Sequence, residues 1–207
     1  MSKKTVKTTT STSSPLILAS GSAYRRLLLE RLGLPFSVVG PNVDETARPG
    51  ERPAETSLRL AEAKARAVGA THPRALVIGS DQIAEFAGAA LGKPRDPAEA
   101  LQQLRAMRGR SVVFHTGLAL LNTGTGRLQT ALVDVTSTFR NLGDAELQSY
   151  LDRDHPFDCA GSVKVEALGI SLFTRVASDD PTALIGLPLI RLTDMLLAEG
   201  VSPLRQT

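Results

Sequence analysis

Apolar runs and the small residues between them divide the chain into alternating strands and helices. Leu16-Ile17-Leu18-Ala19 is a short apolar run closed by Ser20-Gly21-Ser22, and Tyr24 to Leu32 then reads as a helix. A buried strand entering a helix through small residues is a familiar α/β opening. Gly33 stops that helix, Pro35 follows, and Phe36 to Val39 resumes as a strand. Pro41 to Pro53 reads as loop. Leu58, Ala61 and Ala65 recur at helical spacing and predict a helix from about Ala54 to Ala70.

Ala75 to Ile78 is a second buried strand, expected to end at Gly79-Ser80-Asp81-Gln82. Residues 83–92 read as a short hairpin around Gly88, and Pro97 opens a helix to about Met107. Ser111 to Leu121 and Leu128 to Phe139 are β-rich and joined by Asn122-Thr123-Gly124-Thr125-Gly126, which predicts an antiparallel pair. Ala145 to Leu151 is expected to be helical, Leu168 to Val176 a strand, and Pro188 to Glu199 a closing helix. The sequence has no internal repeat and no linker. A mixed α/β fold follows, and the hairpin argues against a wholly parallel sheet.

Composition narrows the function classes. The 207 residues fit one large domain or two lobes on a common core, with residues 1–14 expected as a disordered tail. Apolar residues are 42% and aromatic ones only 4%, so the core must rest on Leu, Val, Ile and Ala. A formal charge of +3 suits anionic substrates and is too weak to argue for nucleic acid. The single cysteine, Cys159, cannot form an internal disulfide, which favours a reducing compartment. His72, His115 and His155 are not at metal-ligand spacing, which argues against a histidine-bound zinc. No stretch approaches the roughly 18 apolar residues of a membrane helix, and the tail lacks a signal-peptide pattern. A cytoplasmic protein is expected.

Several short segments carry charge where chemistry can be done. In Ser20-Gly21-Ser22-Ala23-Tyr24-Arg25-Arg26, a strand end meets a helix start. Free N–H groups there can hold a phosphate, or the serines simply cap the helix. Asp81 follows a buried strand, where α/β active sites open; it can activate water, hold a divalent ion, or cap a turn. Asp44-Glu45, Lys64 and Gly92-Lys93-Pro94 add carboxylates and ammonium groups that can equally be surface charge. Gly161 to Glu166 is a polar stretch in apolar surroundings, open to reading as a twisted edge strand. A nucleoside triphosphate, with about four negative charges, needs cations and a carboxylate-bound metal for hydrolysis, and this inventory meets that need. There is no P-loop and no dinucleotide-binding glycine fingerprint.

In this order the segments resemble the Maf family of nucleotide pyrophosphatases, from Leu16 to about Gly200. The carriers are residues 16–26 with Ser22 to Arg25, Val43-Asp44-Glu45-Thr46, Ala61-Glu62-Ala63-Lys64-Ala65, Gly79-Ser80-Asp81-Gln82 and Gly92-Lys93-Pro94. Gly79-Ser80-Asp81-Gln82, Cys159-Ala160-Gly161-Ser162, Val163-Lys164-Val165-Glu166 and Leu184-Ile185-Gly186-Leu187-Pro188-Leu189 look like the branch acting on 7-methyl-GTP, not the dTTP/UTP branch. The resemblance implies an elongated mixed sheet flanked by helices, with two lobes and a central cleft, as in Maf and ITPase-like folds. It implies a small nucleotide substrate, a divalent cation such as Mg²⁺ or Mn²⁺, no membrane and a homodimer. Asp81 would be the catalytic proton acceptor, with Glu45 and Asp81 on the metal. Ser20, Ser22, Arg25, Lys64 and Lys93 would bind phosphates, and Tyr24, Gln82 and Glu166 would set specificity. Tyr24 stands where that branch is expected to carry tryptophan. The rival is a non-catalytic nucleotide- or nucleic-acid-binding protein linked to cell division.

Overall fold

The computed structural model describes residues 14–205; the expected tail at residues 1–14 falls almost wholly outside them. The strands are β1 (Leu16–Ala19), β2 (Phe36–Val39), β3 (Leu76–Phe86), β4 (Ala89–Leu91), β5 (Ser111–Asn122), β6 (Leu128–Phe139) and β7 (Phe173–Ala177). The helices are α1 (Ala23–Glu30), α2 (Pro53–Gly69), α3 (Pro97–Met107), α4 (Asp144–Asp154) and α5 (Leu189–Ala198). All strands join one seven-stranded sheet in the order β2-β1-β3-β5-β6-β7, with β4 also on β3. β1 runs parallel to β2 and β3, while β3, β5, β6 and β7 pair antiparallel in succession. The mixed α/β expectation is met, long hairpin included.

Alternation along the strands sorts the layers. Ile17, Ala19, Val77, Ala119 and Leu121 pack with Ala61, Ala65 and Val68 of α2. Leu16, Leu18, Leu76, Ile78, Leu118 and Leu120 face the other way, onto Leu28 and Leu29 of α1 and Leu192 and Leu196 of α5. A third core joins the far half of the hairpin, through Val112, Phe114, Val135 and Phe139, to Leu104 of α3 and Leu151 of α4. Two lobes thus share the strands β3, β5 and β6.

Three local expectations change. β3 does not stop at Asp81 but runs to Phe86, so the 83–92 hairpin is its far end turning into β4. The polar Ser80-Asp81-Gln82 imitates a strand end in sequence, yet its backbone stays paired to Gly117, Thr116 and Leu118 of β5. Leu168–Leu172 forms a 3-10 turn, and the strand begins only at Phe173. Gly169 explains the turn: an added Cβ would lie 2.5 Å from the Lys164 carbonyl oxygen, to which Gly169 N–H bonds at 3.1 Å. The stretch Gly161 to Glu166 is not an edge strand; it starts in another 3-10 turn, Ala160–Ser162.

Candidate active site

An interruption in the sheet creates the site. β3 pairs with β1 only as far as Gly79, and with β4 only from Ala84. Its edge is therefore unpaired over Ser80–Ile83, while the opposite edge stays bonded to β5. A cavity of about 830 Å³ opens on this gap, bordered by the Ser20–Arg25 corner, Glu45, Lys64, Asp81 and Lys93. A smaller cavity of about 170 Å³ adjoins it and shares Ser22, Tyr24, Arg25, Gln82, Lys93, Asp158 and Ala160 with it. Its remaining wall is largely apolar: Phe114, Val163, Val165, Leu184 and Ile185, with Cys159 and Glu166. All ten residues singled out for the site line one cavity or both.

Missing carbon brings α2 close enough to furnish a lysine. A Cβ on Gly79 would sit 2.1 Å from the Ala61 carbonyl oxygen, and one on Gly117 would sit 2.3 Å from that of Ser57. With both positions bare, α2 lies directly on the sheet. Lys64, on the same helix face as Ala61 and Ala65, then meets Asp81, which shares its strand face with Gly79. Nζ of Lys64 lies 2.6 Å from Asp81 Oδ1 and 2.7 Å from Glu45 Oε1. Lys64 is only 5% exposed and Asp81 8%. Desolvation this deep is tolerable because the charges pair, and removing one would strand the other. The Lys64 hydrogen bond holds the Glu45 carboxyl below the usual carboxylate range, helped by Lys93 and Arg25. Its neighbour Asp44 instead accepts from Thr46 N–H at 2.9 Å and caps the loop.

The corner after β1 behaves as its composition suggests. Ser22 is the N-cap of α1, accepting weakly from Arg25 N–H at 3.4 Å, and the buried Ser20 hydroxyl accepts from Ser22 N–H at 3.1 Å. A helix N-terminus at this place favours anions. Arg25 is half-buried and donates from Nε to the Gly186 carbonyl at 2.8 Å; burial lowers its pKa, against the pull of Asp81 and Glu45. Arg26 turns away to pair with Glu30 on the surface.

The groups expected to set specificity, Tyr24, Gln82 and Glu166, line the smaller cavity. Burial raises the Tyr24 hydroxyl pKa, and Asp158 adds to the effect. Burial also raises the Glu166 carboxyl, with Lys164 opposing it. The Cys159 thiol is pushed up to about 12, first by burial and then by Asp158, so it stays protonated and is a poor nucleophile. Phe114 and Asp158 line this cavity without having been singled out by sequence. Nothing in the pattern separates them from ordinary core or loop positions, since strands and turns far apart in the chain bring them together.

Metal binding can be tested against the donor set. Glu45 and Asp81 point carboxylate oxygens at one shared cation, and hard oxygen donors suit Mg²⁺ or Mn²⁺. No group of three or more His, Cys, Asp or Glu is poised for a metal among the described residues, so a divalent ion here would draw its other ligands from phosphate and water. Among the described residues, no helix is long and apolar enough to cross a membrane.

Known proteins share much of this sequence. A family model described as Maf-like protein matches residues 15–199. A 7-methyl-GTP pyrophosphatase of Methylobacillus flagellatus is 55% identical over 187 residues, 90% of this chain and 97% of the relative. Proteins of the same name from Cupriavidus metallidurans (58% identical; 89% of this chain, 93% of the relative) and Ralstonia nicotianae (59%; 88% and 94%) match similarly. With the sheet interrupted beside Asp81 and the five motifs gathered round the gap, these matches mean that the chain belongs to the Maf family.

Proposed function

We propose that the protein hydrolyses 7-methyl-GTP to 7-methyl-GMP and pyrophosphate. The observation that carries this reading is the pair of joined cavities: a large one lined with cations and carboxylates, and a small one with an apolar wall and one glutamate at its edge. The names of the relatives, 55–59% identical over most of the chain, support the same substrate.

In this reading the triphosphate lies across the gap in the sheet. Arg25 and Lys93, with the N–H groups at the start of α1, neutralise its oxygens, and Ser20 and Ser22 hydrogen-bond to them. Lys64 orients Asp81 by donating to Oδ1. Asp81 Oδ2 has no protein partner among the described residues, so it is free to take a proton from the attacking water. The water oxygen bonds to phosphorus, the α–β anhydride bond breaks, and pyrophosphate departs with its charge already neutralised. A divalent ion held by Glu45 and Asp81 would draw charge from the phosphates as the bond breaks. Placement and electrostatics suffice, without a covalent intermediate.

The base enters the smaller cavity. Methylation at N7 makes the purine cationic, so the Tyr24 ring face attracts it by about 0.5–2 kcal/mol. Glu166 accepts from the guanine N1–H and amino group and favours the cation by charge. Measuring kcat/KM for 7-methyl-GTP, GTP, dTTP and UTP tests the reading. The methylated nucleotide should lead; equal rates, or a lead for the pyrimidines, would overturn it.

A further inference from the structure

The segment after β7 touches both halves of the site. Residues Pro181–Ile185 form a 3-10 turn, closed by Gly186 at φ +110°, a backbone conformation suited to glycine. Ser80 and Gln82 leave β3 on the face opposite Asp81 and meet this turn. The fully buried Ser80 hydroxyl lies 2.9 Å from the carbonyl oxygens of Gly117 and Gly186. The Gly186 oxygen also accepts from Arg25 Nε at 2.8 Å. Gln82 Nε2 lies 2.8 Å from the Ala183 oxygen, 3.1 Å from that of Leu184 and 3.1 Å from the Thr116 hydroxyl, which itself donates to Ala183 at 3.0 Å.

These contacts restrict what each side chain can do. An amide turned the other way would set Gln82 Oε1 against backbone oxygens, so Nε2 must face the turn. Oε1 is then left without a protein partner among the described residues, on a residue that lines both cavities. Gln82 becomes a one-sided acceptor, suited to the N–H edge of a base and opposed to a carbonyl edge. Asp180, only 3% exposed, braces the turn. One of its oxygens accepts from Thr182 N–H at 3.1 Å and the Thr182 hydroxyl at 2.6 Å; the other accepts from Ile190 N–H at 2.8 Å, in the first turn of α5.

We infer that the 181–186 turn is a shared positioning element, whose carbonyls aim Arg25 at the phosphates and lock the Gln82 amide for base reading. Ser80 and Thr116 are the positioning residues of the two branches. Ser80 steadies the carbonyl that orients Arg25. Thr116 couples Gln82 to Ala183. The identity of the base rests on the function proposed above; the division of labour does not.

Two substitutions separate the branches, read by competition with inorganic tripolyphosphate, which has no base, and by kcat/KM on the four nucleotides. Thr116→Val keeps the shape and loses the hydroxyl. It should narrow the preference for the best nucleotide roughly tenfold, mainly through KM, while tripolyphosphate affinity stays within about twofold of wild type. Thr116→Ser should restore the preference. Ser80→Ala should weaken tripolyphosphate roughly tenfold and lower kcat/KM by a similar factor on every nucleotide, leaving their ratios unchanged. Ser80→Cys, similar in size with a weaker donor, provides the same test if the alanine variant does not fold. The inference is overturned if both substitutions move both readouts together, or if neither moves either. If wild-type protein prefers a nucleotide other than 7-methyl-GTP, the substrate reading fails. The split between the two variants then still decides the role of the turn.

Discussion

The two cavities differ in the parts of the chain that build them. The larger is made mostly from residues 20–93, at the ends of β1, α1 and β4 and inside α2 and β3, and its working groups are charged. The smaller takes most of its distinctive wall from residues 158–185, in loops and 3-10 turns, and that wall is mainly apolar. Lys64 and Asp81, the charged pair proposed for the chemistry, sit on regular elements fixed by backbone pairing and close packing, with Glu45 and Lys93 on loops beside them. Of the groups that would choose the base, Tyr24 and Gln82 share α1 and β3 with the charged side, while Glu166 and most of the apolar wall around it lie on irregular segments that can change in sequence without disturbing the sheet. Chemistry and choice are separable, and loss of function should take different forms on the two sides.

The largest effects should follow from disabling the charged side. Chelation with EDTA should silence turnover on every nucleotide, and Mg²⁺ or Mn²⁺ should restore it; full turnover in excess EDTA would remove Glu45 and Asp81 as metal ligands. Asp81→Asn should reduce kcat by roughly 10²-fold or more while circular dichroism stays native. Near-normal turnover in that variant would take Asp81 out of the mechanism. Lys64→Met should cost stability as well, on the order of 3–5 kcal/mol, because Asp81 loses its buried counter-ion. Urea unfolding measures this, and an unchanged midpoint would show that the pair contributes little to holding the fold.

Smaller effects should come from the other side, confined to substrate ratios. Glu166→Gln should narrow the gap between 7-methyl-GTP and GTP by about tenfold, since a neutral amide replaces a charge-assisted acceptor. Burial raises the Glu166 pKa, so this carboxylate takes up its proton at a higher pH than a free one. In the wild type the preference should therefore fade on acidification before an ordinary glutamate titrates, and the Gln variant should lack that pH dependence. The least effect belongs to Cys159→Ser, where turnover should stay within about twofold of wild type. Rapid inactivation by iodoacetamide at pH 8 would contradict a thiol pKa near 12.

Much of this arrangement was legible in the chain. Leu16–Ala19, Phe36–Val39, α2, α3 and the β5–β6 hairpin follow from apolar periodicity and from Gly and Pro at their ends. The same pattern misplaced the end of β3, because hydropathy cannot tell a polar strand interior beside a cleft from a strand that has stopped. The position of Asp81 near the mouth of a sheet was readable, but its pairing with Lys64 was not. That contact depends on two glycines in different strands meeting one helix, a relation with no local signature. Asp158 was invisible for a similar reason, since only the closure of the C-terminal turns brings it to the cavity.

The unpaired edge over Ser80–Ile83 also bears on how the protein avoids its own kind. An open strand edge is ordinarily an invitation to another chain, and long flat ones lead to aggregation. Here the edge is interrupted rather than terminal. β1 covers it on one side and β4 on the other, so an incoming strand finds too short a stretch to zip onto. Backbone groups that would be a hazard on the outside of a sheet are thereby reserved for molecules small enough to enter a cleft. Protection of the edge and entry for a small molecule come from the same missing rungs in the ladder.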